Sequence, residues 1–200
     1  MAHTYDVAAI GNAIVDVIAP STDAFLDEQD LTKGSMHLID GDRAQQLYGA
    51  MAPGMEASGG SAGNTVAGVA SFGGTAAYIG KVAKDQLGEV FTHDLRAQGV
   101  HFETPPLEGA DATARSLINV TPDGQRTMST FLGVAGLLNS ADVDDQVIKE
   151  APSPISRAIC STRPRRARPS TGRPTSRARP GARWPSPCRT CSWSSAGAAT

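Results

Sequence analysis

Three short stretches hold residues whose types and spacing can do chemistry. "AIVDVIA" carries Asp16 inside an apolar run. A carboxylate there is costly to bury unless something pairs with it. It can accept hydrogen bonds from sugar hydroxyls, or it lies at an edge and faces water. "GGSAGN", residues 59–64, packs three glycines ahead of small residues. Glycines let backbone N–H groups approach a ligand, and a helix N-terminus favours oxygen-rich or anionic groups. A tight turn with close helix packing explains the same letters equally well. The stretch is neither a P-loop nor a G-x-G-x-x-G after the first strand. Arg126, in "DGQRTM", follows a turn. It can clamp a phosphate or sit in solvent.

These residues need elements to hold them. Residues 7–10 form a short apolar run ended by Gly11-Asn12, which reads as a buried strand and a turn. "AIVDVIA" resumes as a second extended piece, and 34–40 is another strand. "DGDRAQQLYGAM" reads as a helix capped by Asp40 or Asp42. Residues 57–74 are a glycine-rich turn running into a helix of small residues. "AAYIGKV" is a strand, and "KDQLGEVFTHDLRAQGV" is an amphipathic helix ended by Gly99. "RSLINVTPDGQRTMSTFLG" is a hairpin around Pro122-Asp123-Gly124. "NSADVDDQVIKEA" starts a helix capped by Asn139 or Ser140. Strands alternating with helices argue for a parallel α/β sheet with hairpin pieces on one side.

The chain divides sharply by composition. Residues 1–150 hold eight Lys and Arg against 20 Asp and Glu, a net charge of −12. Residues 151–200 hold ten Arg, no Lys and no acid, a net +10, with all three Cys, both Trp and eight of the 13 Pro. The Cys-free body fits a reducing compartment. No run of about 18 apolar residues exists to span a membrane. Asp6 and Asp16 interrupt the N-terminal apolar run and no basic segment precedes it, unlike a secretory signal. The expected location is the cytoplasm.

Taken in order, "YDVAAIGNAIVD", "GGSAGNTVAGVASFGGTAAYIGKVAKDQLG" and "RSLINVTPDGQRTMSTFLG" resemble the PfkB family of carbohydrate and nucleoside kinases, with adenosine-kinase-like members nearest. The resemblance covers about 1–150. Two positions depart from it: Val66, two after the Asn, where a small residue is usual, and Ala83, where Gly is usual. The resemblance implies an α/β ribokinase-like fold, a parallel sheet flanked by helices with a small β lid. It implies transfer of the γ-phosphoryl of ATP, with Mg2+, to a hydroxymethyl group of a sugar or nucleoside. Asp16, Gly59, Gly60 and Asn64 would hold the sugar hydroxyls, with Asn12 in the same pocket. Strands around Ser35-Met36 and across 115–131 would form the lid, bringing Met36 and Phe131 to the substrate and excluding water. Arg126 would help neutralise the transferring phosphoryl. Lid strands of this family sometimes pair between subunits, so a homodimer is a possible assembly.

The resemblance also implies a later motif like D-T-x-G-A-G-D, whose last Asp is the general base beside the ATP site. No such motif occurs in 151–200. The expectation is therefore that 1–150 is the N-terminal part of a kinase domain, and that the 200-residue chain does not turn over. Residues 151–200 read as an Arg/Pro-rich tail, out of frame and disordered. One frame away, Pro and four-box Arg codons encode only Ala, Pro, Ser or Thr, and Trp184-Pro185 forces Ala. Permitted codons allow 152–163 to become AVTYLEGYLFDP, and 174–196 to become a helix followed by an alternating strand. Two further classes compete. One is a non-catalytic sugar- or nucleoside-binding protein. The other is an α/β domain with a basic nucleic-acid-binding arm, against which the absence of Lys and the presence of Trp and Cys both count. Cys188-Arg-Thr-Cys191 is half a zinc site at most.

Overall fold

The first strand, β1 (Val7–Gly11), is built from small apolar residues, and Ala8 and Ala9 are wholly buried. Its burial on both faces is what a central parallel strand requires. The computed structural model of the protein describes residues 4–109, 111–151 and 154–157. β1 pairs in parallel with β5 (Ala76–Ile79) and with β9 (Pro154–Arg157), and β5 pairs with the short β6 (Val100–His101). The order β6-β5-β1-β9 makes one parallel sheet.

A second sheet has five strands. Its members are β2 (Ile14–Pro20), β3 (Met36–Leu38), β4 (Met55–Gly59), β7 (Ala114–Val120) and β8 (Arg126–Phe131). β7 and β8 are the antiparallel hairpin expected around Pro122-Asp123-Gly124, with Gly124 at φ +79°. β2 runs parallel to β7 and antiparallel to β4, and β3 runs parallel to β8. This is the small β lid beside the parallel sheet. The fold is thus the α/β, ribokinase-like arrangement read from the sequence.

The helices begin where capping side chains stand. α1 (Asp23–Glu28) is capped by Thr22, α2 (Gly41–Ala50) by Asp40, and α4 (Gln86–Ala97) by Asp85, each accepting from a backbone N–H three residues on. Asp85 also accepts from the N–H and hydroxyl of Thr113, at 2.8 and 2.6 Å, and so ties the start of α4 to the segment entering β7. α4 buries Leu87, Phe91 and Leu95 along one stripe and ends at Gly99, φ +81°. Phe91, Tyr78 and Phe102 pack at tilted and edge-to-face angles, with centroids 5.5–5.8 Å apart, and form the heart of the core. α3 (Ser61–Ser71) packs its small residues against β1 and β5.

Three features differ from expectation or were not foreseen. The single helix expected from Asn139 is two pieces, a 3-10 turn Ser140–Asp142 capped by Asn139 and α5 (Asp145–Lys149) capped by Asp144. Two separate caps, Asn139 and Asp144, with extended Val143 between the pieces, break the run. α1, β4 and β6 carry too little apolar pattern to be read locally. β9 lies beyond the compositional break at 151, because the edge of β1 offers it backbone partners. Residues 158–200, on which most of the tail expectation falls, lie outside the described residues.

Candidate functional site

β2 turns Val15, Val17 and Ala19 into the core, so alternation aims Asp16 at the opposite face of the lid sheet. The strand register fixes its neighbours there. One row across the sheet reads Ala57, Asp16, Ser116, Thr130 and Leu38. The next reads Met55, Ile18, Ile118, Met128 and Met36. A polar row therefore borders an apolar one. Met55, Ile18, Met36 and Leu38 are all exposed, Met36 at 48%.

The two glycines beside Asp16 are there for space and for backbone angle. A Cβ on Gly59 would stand 2.7 Å from Oδ1 of Asp16 and closer still to Oδ2. Gly60 has φ +82°, and a Cβ there would lie 2.9 Å from the carbonyl oxygen of Asn12. The turn thus brings β4, the β1–β2 crossover and the start of α3 together. Gly60 is the N-cap of α3 and, being glycine, makes no side-chain cap hydrogen bond. Asn64 is exposed in that first turn, its N–H donating to the Gly60 carbonyl at 2.8 Å. Asn12 is half-buried at the crossover.

The electrostatics single out Asp16. Burial pushes its carboxyl above the usual carboxylate range, and the Arg126 guanidinium pulls against that rise. Arg126 begins β8, exposed, on the same face as Asp16. Asp16, Gly59, Gly60, Asn64, Asn12, Met36 and Arg126 therefore gather around one face and one turn.

Phe131 does not join them. In β8 the residues Arg126, Met128 and Thr130 face Asp16, and Phe131 is out of phase with them. It lies on the other face, where the Arg115 guanidinium sits 5.9 Å from its ring centroid and where a Cβ on Gly41 of α2 would touch it at 3.5 Å. It packs the lid against α2, on the face away from Asp16. The parity of its position relative to Arg126 already carried that signal. The residues missed are Ser116 and Thr130, whose hydroxyls are 3.0 Å apart. Only the register of three strands puts them in line with Asp16.

Other polar features lie apart. Lys81, which is buried, forms an ion pair with the partly buried Asp142 just past the end of β5. A cleft of about 720 Å3 runs between α4 and residues 103–106, and none of the residues above lines it. Among the described residues no three His, Cys, Asp or Glu side chains are grouped to hold a metal ion. No described helix is long and apolar enough to cross a membrane.

A family model described as "pfkB family carbohydrate kinase" matches residues 51–156. The crystal structure of adenosine kinase from Sinorhizobium meliloti is 60% identical, with a TM-score of 0.71 over 76% of this chain and 46% of that one. A probable sugar kinase from Rhizobium etli CFN 42 is 52% identical, with a TM-score of 0.72 over 77% of this chain and 47% of that one. Among curated relatives, a probable chloroplastic fructokinase-6 from Arabidopsis thaliana is 30% identical over 98 residues, 48% of this chain and 26% of the relative. The chain thus spans a little under half the length of the solved proteins and about a quarter of that curated relative.

Proposed function

Because the chain belongs to the pfkB family of carbohydrate kinases, we propose that its described residues are the acceptor-binding part of a kinase that phosphorylates a nucleoside, adenosine, with ATP and Mg2+ as donor. The observation that carries this reading is the lid face itself. A carboxylate and two hydroxyls in one row meet a row of Met and Ile side chains in the next. A small sugar has no use for the second row, whereas a nucleoside presents hydroxyls and a flat apolar ring together. The adenosine kinase of 60% identity supports the same choice.

Each residue has a part in this reading. The ionised Asp16 carboxylate is acceptor-only and takes two neighbouring hydroxyls of the sugar. Gly59 and Gly60 leave room for the sugar ring against the backbone. The N-terminal turn of α3, with Asn64 and Asn12, completes the polar wall. The lid excludes water from the reacting hydroxymethyl, which strengthens every charge interaction beneath it. Arg126 places a guanidinium where negative charge gathers on the transferring phosphoryl. The D-T-x-G-A-G-D-like motif is absent from the 200 residues, and the reading is that this polypeptide binds nucleoside without transferring phosphate.

The test is calorimetric titration of the 200-residue chain with adenosine, ribose and fructose, beside an ATP-dependent phosphorylation assay on the same three. Saturable adenosine binding without turnover is the expected result. Turnover above background defeats the non-catalytic part, and tighter binding of fructose than of adenosine defeats the substrate assignment.

A further inference from the structure

Burying a hydroxyl in an apolar sheet face costs free energy unless the group is used. Two such hydroxyls stand side by side on the Asp16 face. Ser116 is 6% exposed and Thr130 4%, and their oxygens are 3.0 Å apart, with either able to donate. One shared hydrogen bond uses one of the two O–H protons. The second proton, and lone pairs on both oxygens, have no other side-chain hydrogen bond among the described residues. Replacing both hydroxyls by apolar groups of the same shape would cost the fold little. The fold therefore does not need the pair.

Its position suggests what does. Neighbouring strands lie about 4.8 Å apart. Ser116 is thus one strand from Asp16, and Thr130 is two strands away, about 10 Å. A ligand whose sugar hydroxyls rest on Asp16 reaches Thr130 only if a second ring extends beyond the sugar. That ring lies along the row of Ile18, Ile118, Met128 and Met36, which directly borders the pair.

Resting on the nucleoside reading above, we infer that the Ser116–Thr130 hydroxyl pair is a specificity element that hydrogen-bonds the edge of the nucleobase. A hydroxyl both donates and accepts. The linked pair therefore presents one free proton and free lone pairs to a base edge that carries an acceptor beside a donor. It adds discrimination between a nucleoside and a bare sugar, and it takes no part in holding the sugar.

The experiment uses the full 200-residue chain and its Ser116→Ala, Thr130→Val, Thr130→Ser, Asp16→Asn and Ser116→Ala/Thr130→Val variants. Adenosine affinity is read by calorimetry and ribose affinity by ligand-observed NMR. The loss of one net hydrogen bond is worth about fivefold in affinity. Ser116→Ala and Thr130→Val should each weaken adenosine by about that factor and leave ribose unchanged. The double variant should lose little more than either single one, because the hydroxyls act as a unit. Thr130→Ser should restore adenosine binding, and Asp16→Asn should weaken both ligands. If the variants weaken adenosine and ribose alike, or neither, the pair is structural and this inference fails while the nucleoside reading stands. If the unaltered chain binds neither ligand, the nucleoside reading fails and takes the inference with it.

Discussion

Replacing Gly59 by Ala tests whether this glycine exists to seat the Asp16 carboxylate. The new methyl would lie 2.7 Å from Oδ1 of Asp16 and nearer to Oδ2 and Cγ. A relaxed contact needs about 3.5 Å, so the carboxylate must retreat by about 1 Å. It belongs to a side chain and can swing away, so the fold should lose only about 1 kcal/mol, the scale of one off-rotamer side chain. The ligand is less forgiving. A hydrogen bond of about 2.7 Å stretched by about 1 Å is no longer one. Each charge-assisted bond lost costs about 1.5–3 kcal/mol, or roughly 10- to 100-fold in affinity. Calorimetry with adenosine and a thermal melt on the same sample separate the two effects. The expected outcome is a small drop in melting temperature with at least a tenfold loss of affinity. Gly59→Ala combined with Asp16→Asn should lose no more than the worse single change, since both remove one contact. Unaltered affinity in Gly59→Ala, or full additivity with Asp16→Asn, would falsify the idea that this glycine serves the carboxylate.

Asp16→Asn should raise the melting temperature at pH 7. Burial holds the folded carboxyl above its usual range, so the ionised acid opposes folding at neutral pH. That penalty grows as pH rises from the ordinary carboxylate range through the raised value, so the gain should vanish in melts run below the ordinary range; a gain independent of pH contradicts the burial argument. Lys81→Met should destabilise the fold by about 1–3 kcal/mol, because it leaves the partly buried Asp142 carboxylate unpaired. Lys81→Met/Asp142→Leu should recover most of the loss in urea melts, and no recovery speaks against a paired-charge cause. Although burial alone pushes the Asp142 carboxyl up, the Lys81 and Asn139 donors hold it below its ordinary value. The pair's contribution is therefore present above the ordinary carboxylate range and lost as pH falls through the lowered value. Gly133→Ala should be far more damaging than Gly124→Ala. A Cβ at Gly133 runs into the backbone carbonyl oxygen of Ala112, whereas one at Gly124 meets nothing and bears only the strain of φ +79°. Comparable melting temperatures for the two variants would count against the backbone clash.

How much of this was legible beforehand depends on the reach of each interaction. The hairpin announced itself, because Pro122-Asp123-Gly124 between β-rich runs is a local signal that needs no partner. The amphipathic stripe of α4 and its Gly99 stop are likewise written within a dozen residues. β4 was not readable: "MEASG" has no β-branched residue, and it becomes a strand because β2 offers it backbone groups. The run after Asn139 looked like one helix, since periodicity does not reveal which of several Asp side chains will cap.

The site divides in the same way. Residue types and spacing were sufficient to pick out Asp16, the Gly59-Gly60 turn, Asn64 and Arg126, because their chemistry is carried by each side chain and its immediate neighbours. Which residues share a face was a matter of parity within one strand, and it sets Phe131 on the face opposite Asp16. Which residues share a row was a matter of register between strands far apart in the chain. Asp16, Ser116 and Thr130 are separated by 100 residues and then by 14, and only the pairing of β2 with β7 and of β7 with β8 sets them side by side. A one-residue slip in either pairing would send the hydroxyls to the other face. Local sequence therefore determined which groups are present and which elements carry them. Tertiary structure alone decided which of them meet, because register is settled by the burial of whole sheet faces and not by any single stretch.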